Sequence, residues 1–268
     1  MDAASILELS PYVFLELTTD VTDQQVQSLC SKHHGGVCLL PTNATTTDQL
    51  KSYLDMGASL VLEHSDIRTH TLSSADRDAL IDHGREKVFL KGYSDGHCWR
   101  FLQQGASLLI DGVDKNLTPA AIQQLCGMPH KGHIRVLANG FSKGNRRDIL
   151  RRGISIIYSK TDEQQVFPPD ELLADIAVGG EQVVLHLSDW PLAQSLEALR
   201  AGARVLVTGC TRWERDTVEE NLLHPANTQE RARIQLLLRY GPAGKLAAFR
   251  QMGIIFQLEE VDAEVLFN

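Results

Sequence analysis

No stretch of this chain approaches the roughly 18 consecutive apolar residues that a membrane span needs. It has no CxxC pair, and it is short of positive charge, with 26 Lys and Arg against 34 Asp and Glu and a formal net charge of −8. Each shortage excludes something. The missing span argues against an integral membrane protein. The acidic balance argues against nucleic acid or an anionic membrane surface as the main partner, because both select for clustered positive charge. The missing CxxC removes the usual structural zinc site. The five cysteines, Cys30, Cys38, Cys98, Cys126 and Cys210, are odd in number and widely spaced, which reads as reduced thiols of a cytosolic protein. The opening MDAASILELSPYVFLEL has no basic segment and carries acids within its apolar part, so it fits neither a signal nor a transit peptide and a cytoplasmic location is expected.

What the chain does have is a sequence of short apolar runs set between helical patterns. Apolar residues make up 43% of its 268 residues and charged residues 22%, enough apolar surface to bury a core. Nine runs read as buried parallel strands: 13–15, 37–40, 60–62, 88–90, 108–110, 134–137, 154–157, 183–185 and 205–207. They lack polar alternation, as strands covered on both faces do.

An internal repeat orders these runs. The phrases LDMGASLVLEH, LQQGASLLIDG, LRRGISIIYSK and LRAGARVLVTG place glycines at 57, 105, 153 and 202, spaced by 48, 48 and 49 residues. Each phrase reads as a helix end, a left-handed C-cap glycine and a strand. The unit is therefore βαβα, and four units build a TIM-type (βα)8 barrel. An open dinucleotide-binding sheet would carry a Gly-rich fingerprint after its first strand, where this chain has Leu17-Thr18-Thr19-Asp20. The reading is α/β, one barrel domain over residues 1–268 with a C-terminal helical extension at about 212–268. Nine strands exceed eight, so one βα segment is additional. The helical patterns from Asp216 to Arg250 are more than a barrel unit needs, and are expected to cap the barrel or to form a homo-oligomer contact.

In parallel barrels the chemistry sits where strands end. The polar residues there are Thr18 and Thr19, Glu63 with His64, Lys91, Asp111 and Asp114, Asn139, Tyr158 with Lys160, His186, and Thr208 with Gly209, the start of a Thr208-Gly209-Cys210-Thr211 turn. Glu16 lies inside an apolar strand, where a charge needs a partner. The basic cluster Lys143, Arg146, Arg147, Arg151 and Arg152 reads as a solvated helix face.

Glu16-Leu17-Thr18-Thr19, then Thr22-Asp23 with Val26 and Leu29-Cys30, then Val37-Cys38-Leu39-Leu40-Pro41 resemble the opening of the deoxyribose-phosphate aldolases. A fainter resemblance continues through Gly105-Ala106, 134–140, 153–171 and 183–185, with a segment at about 59–86 inserted before that family's third strand. The resemblance implies a class I aldolase: a lyase that forms a Schiff base between a lysine and a small carbonyl or sugar-phosphate substrate, with no cofactor. Tyr158 stands at the family's Schiff-base lysine, His186 at its second lysine, and Ile110 or Asp111 at its aspartate, while Glu16 keeps the first-strand acid. Asp189-Trp190 replace the glycines of its phosphate site. Lys160, two residues beyond Tyr158, returns to the same strand face and is the substitute amine, with Lys91 a second. Glu16, Asp111, His186 and Tyr158 would then manage protons, and Thr18, Lys91, Thr208, Gly209 and Thr211 would hold substrate.

Two other readings stand beside this one. The barrel has lost catalysis and serves as a binding or interaction module, or it resembles 3-dehydroquinate dehydratase or a metal-dependent barrel enzyme. No HExxH motif is present; the best metal constellation is Glu63, His64 and Asp66 with Glu16 and Asp111, and no metal is assigned. His130 and His133 precede a strand, at the opposite end from the chemistry. Cys210 reads as a buried thiol.

Overall fold

A computed structural model describes residues 13–17, 21–33, 37–42, 45–63, 72–93, 95–110, 117–138, 140–158, 167–186, 192–210, 218–238 and 243–258. The chain divides into two compact units, Tyr12–Gly140 and Phe141 to the C-terminus. No helix among the described residues is long and apolar enough to cross a membrane.

The first unit holds β1 (Val13–Glu16), α1 (Asp23–His33), β2 (Val37–Leu40), α2 (Thr47–Asp55), β3 (Ser59–Glu63), α3 (Ser74–Gly84), β4 (Val88–Lys91), α4 (Asp95–Gln104), β5 (Ser107–Ile110), α5 (Pro119–Gly127) and β6 (Ile134–Val136). The second holds α6 (Lys143–Arg151), β7 (Ile156–Tyr158), α7 (Pro169–Gly179), β8 (Val183–His186), α8 (Leu192–Ala201), β9 (Arg204–Cys210), α9 (Thr228–Arg231), β10 (Ile234–Leu238), α10 (Ala243–Gln251) and β11 (Ile255–Leu258). All the paired strands are parallel, and each lies beside its neighbour in sequence: β1 to β6 form one sheet and β7 to β11 another. The protein is thus α/β, built from parallel sheets with strands and helices in alternation.

Local signals explain the element ends. Thr46 caps α2 in a reciprocal box with Gln49, Ser73 caps α3, Thr118 caps α5 ahead of Pro119, and Ser142 caps α6; each gives an otherwise unpaired N-terminal N–H an acceptor. The repeat glycines take the left-handed conformation expected of them, with φ of 92° at Gly57, 109° at Gly105, 80° at Gly153 and 118° at Gly202. Gly253 (φ 77°) does the same before β11.

All nine sequence-derived strands lie on strands of the structure. Among the described residues there are two more, β10 and β11, which correct the expectation of a helical stretch over 212–268. The run Ile234-Gln235-Leu236-Leu237-Leu238 was read as helix because a short apolar run has the same composition in either state. Its alignment beside β9, from Ile234 opposite Val205 onward, makes it a strand. With Gly253 the repeat reaches a fifth copy.

Strand registers divide each sheet into two faces. On β2 to β5 one face carries Val37, Leu39, Leu60, Leu62, Val88, Leu90, Leu108 and Ile110, all buried. It is the helix side: a Cβ on Gly84, at the end of α3, would lie 2.8 Å from both Leu54 and Val88. The other face carries the buried cluster Cys38, Val61, Phe89 and Leu109, with Leu40 and Leu137 against it. Arg135 of β6 lays its guanidinium 4.7 Å from the centre of the Phe89 ring.

A second repeated feature joins helix to strand. After α3, Gly84-Arg85-Glu86-Lys87 makes a single 3-10 turn into Val88; after α7, Gly179-Gly180-Glu181-Gln182 makes the same turn into Val183. Both turns need a residue at positive φ, and the chain supplies Arg85 (48°) in one and Gly180 (52°) in the other. Gly132, in the approach to β6, is more constrained, since a Cβ there would sit 1.6 Å from the Ala106 carbonyl oxygen. Gly132→Ala is expected to destabilise the protein by about 3 kcal/mol or more, while Gly127→Ala, which meets nothing within 4 Å, is expected to be neutral or mildly stabilising. Urea unfolding of both variants reads the difference; equal midpoints would contradict the close approach.

Candidate functional site

The C-terminal ends of β3 and β4 bring two charged residues of the sequence reading, Glu63 and Lys91, to one sheet face. Glu16 is in register with Leu40, and Glu63 is in register with Lys91. Residues two apart on a strand share a face, so Glu63 lies above Val61, and Lys91 above Phe89. The Lys91 ammonium donates to the Glu63 carboxylate at 2.8 Å, with both side chains about a quarter exposed. Beside them the Thr42 hydroxyl donates to the Leu17 carbonyl.

In the second unit the corresponding face carries His186, in register with Leu206, which is in register with Gln235. His186 and Gln235 are each only 4% exposed. The backbone of β9 runs on through Thr208 and Gly209 to Cys210. One layer below, buried Arg204 donates to the Glu181 carbonyl at 2.6 Å and to the Ser155 hydroxyl at 3.2 Å. Loss of solvent lowers the Arg204 pKa from its ordinary value, and the nearby Glu181 partly offsets this. Arg204 and Gln235 did not stand out in the sequence. The repeat carries a signal for the first, since Arg204 follows its glycine by two residues, where the other copies have Ser59, Ser107 and Ser155.

Tyr158 corrects the expectation. It is fully buried, its hydroxyl donates to Asp175 of α7 at 2.9 Å, and its ring meets Phe167 edge-on at 5.1 Å. It points to the helix side, not to the face of His186, so it packs between β7 and α7. Lys160, Asp111, Thr18 and Thr211 lie outside the described residues, as do His64 and Asp66 of the metal reading. Among the described residues no three of His, Cys, Asp and Glu converge as metal ligands. His130 and His133 precede β6, as read from the sequence.

The basic helix is corrected as well. Lys143 and Arg151 are exposed, but Arg146 is buried. Arg146 donates to Asp175 at 2.7 Å, to Glu171 at 3.0 Å and to the Phe141 carbonyl at 2.9 Å, and Arg147 reaches the other Asp175 oxygen at 2.8 Å. The guanidinium of Arg146 also lies 5.0 Å from the centre of the Phe167 ring. A helical arginine that follows its cap by four residues points back into the helix-helix contact, and α6 packs on α7.

Comparison with protein-family models, with curated proteins and with solved structures finds no match for this chain.

Two predictions follow from the Asp175 cluster. Asp175→Asn leaves buried Arg146 without its principal counter-charge and is expected to cost about 3–5 kcal/mol, while Tyr158→Phe costs about 1–2 kcal/mol; chemical denaturation measures both, and a neutral Asp175→Asn would contradict the pairing. The second prediction concerns pH. Burial and the Asp175 charge push the Tyr158 hydroxyl well above the usual tyrosine range, and burial pushes the Cys38 thiol up to about 12, partly countered by Arg135. The unfolded chain releases these protons from about pH 8.5 to 10, while the folded chain holds them to higher pH, so their contribution is complete below that range and is lost progressively as pH rises above it toward the folded-state values. Tyr158→Phe is expected to flatten the decline between about pH 9 and 11; an unchanged slope would contradict the assignment.

Proposed function

We propose that this chain is a (βα)-repeat binding module that has lost the chemistry of its enzyme-like ancestors, and that it recognises a partner through the strand face carrying Glu63 and Lys91. The observation that carries this reading is the Glu63–Lys91 ion pair at 2.8 Å. A Schiff base requires a free amine, and an amine held in a salt bridge is an ammonium ion with no lone pair to donate. Tyr158, at the position of the aldolases' lysine, is committed to Asp175. What a partner would meet on this face is the pair of charged side chains at the strand ends, each about a quarter exposed, held in place by the buried cluster Val61, Phe89 and Leu109 beneath them.

The second reading is the Schiff-base lyase on a small carbonyl or sugar-phosphate substrate, in a closed TIM-type barrel. One observation favours it. Lys91 stands at a strand end on the same face as Glu63, where barrel enzymes keep their reactive groups, and the Glu63 carboxylate could accept its proton once substrate displaces the pair.

Borohydride trapping separates the two. The protein is incubated with deoxyribose 5-phosphate, acetaldehyde or glyceraldehyde 3-phosphate, reduced, and weighed intact, then mapped by peptide. No adduct is expected at Lys91 or Lys160, and a stoichiometric adduct at either would replace the binding reading with the lyase. In parallel, a photo-crosslinking residue at position 91 is expected to capture discrete partners that the same residue at exposed position 123 does not; identical capture at both would remove the strand face as the recognition surface.

A further inference from the structure

The two helix-to-strand turns offer an internal control for a second site, at the opposite ends of the strands and independent of the reading above. Behind the first turn lies a cavity of about 280 Å³ lined by Asp55, His83, Arg85, Glu86 and Lys87, together with Leu54 and Gly84. In the second turn the residues at the positions of His83, Arg85 and Lys87 are Val178, Gly180 and Gln182, while Glu86 is matched by Glu181. Both turns have the same backbone path. The three basic side chains are therefore not what makes the turn, and Arg85 opposes it, because a side chain at φ 48° is strained where glycine is not.

We propose that His83, Arg85 and Lys87 form a binding site for a phosphate group, free or esterified. The His83 ring nitrogen lies 2.8 Å from Asp55, which occupies that carboxylate. Lys87 gives one N–H to the Leu54 carbonyl at 3.4 Å, leaving two N–H groups for a ligand. Arg85 adds the planar fork that matches two phosphate oxygens at once. Glu86 opposes an anion and limits the affinity, which gives the proposal a consequence of opposite sign.

The test is thermal unfolding and calorimetric titration of the full chain with inorganic phosphate and with O-phosphoserine, against sodium chloride of matched ionic strength. The wild type is expected to gain Tm in either phosphate and not in chloride, and the tighter of the two ligands identifies the group as free or esterified. Arg85→Gly keeps the turn that Gly180 makes. It is expected to raise Tm in the absence of phosphate and to lose the phosphate-dependent gain, with affinity down about tenfold or more. The triple variant H83V/R85G/K87Q, which reproduces the second turn, is expected to behave alike, and Glu86→Gln to bind phosphate more tightly than wild type. Phosphate-dependent gains in these variants equal to that of the wild type, or no gain in the wild type, would overturn the proposal.

Discussion

Asp175 is the point on which the second unit turns. It is completely buried, and an isolated carboxylate there would cost more than the unit could recover from packing. Two guanidinium groups from α6 and the Tyr158 hydroxyl from β7 supply the compensation. Because an arginine fork fixes direction as well as distance, the cluster sets how α6 lies on α7 and how both lie on β7. Arg146 extends the arrangement to the Phe141 carbonyl, at the entrance to α6. An apolar replacement of similar volume could match the stability of such a cluster, but it would not define the helix register in the same way.

A constraint of the strands decides which parts of this were legible in advance. A parallel strand covered on both sides shows no polar alternation, so the apolar runs located the strands but did not say which residue faces which way. The repeat resolves the ambiguity when its copies are aligned. Tyr158 follows Gly153 by five residues, as Leu62 follows Gly57, Ile110 follows Gly105 and Val207 follows Gly202. Three apolar residues at one position mark the helix side, and Tyr158 belongs with them. Its place at a strand end and the resemblance, which sets it at a lysine, both mark Tyr158 as a site residue, and neither says which way the side chain faces. Arg146 was obscured for a different reason: five basic residues in ten look like a solvated surface, and the acids that bury one of them, Glu171 and Asp175, come from the following helix. Ion pairs between elements leave no trace in local composition.

At the strand ends the same alternation sorts the remaining polar residues by chemistry. Glu63 and Lys91 are adjacent by register, and at about 4.8 Å between strands two long side chains of opposite charge meet whether or not a ligand is present. The pair is partly exposed, so it contributes little to stability, and its consequence is positional: it engages the only lysine among the described strand ends. His186 and Gln235 lie buried on that face with Arg204 one layer below them, so this part of the face carries enclosed polar side chains where the first unit has a partly exposed ion pair. Two units built from one repeat therefore present different surfaces at equivalent positions.

The repeat also separates what the fold requires from what it merely tolerates. At the helix-to-strand turns the residue that ends the helix is closely packed: a Cβ on Gly84 would lie 2.8 Å from Leu54 and one on Gly179 2.7 Å from Leu150, so a larger residue would require those leucines to shift. Both leucines precede a repeat glycine by three residues, so the two contacts are the same contact made twice. The next position needs positive φ and is met once by glycine and once by arginine, at a cost of about 1 kcal/mol for the latter. Where one copy keeps the cheaper residue and the other does not, the difference cannot come from the backbone path, which the copies share. It must come from something the side chain does, and in a chain assembled from copies such departures are where chemistry can be read apart from architecture.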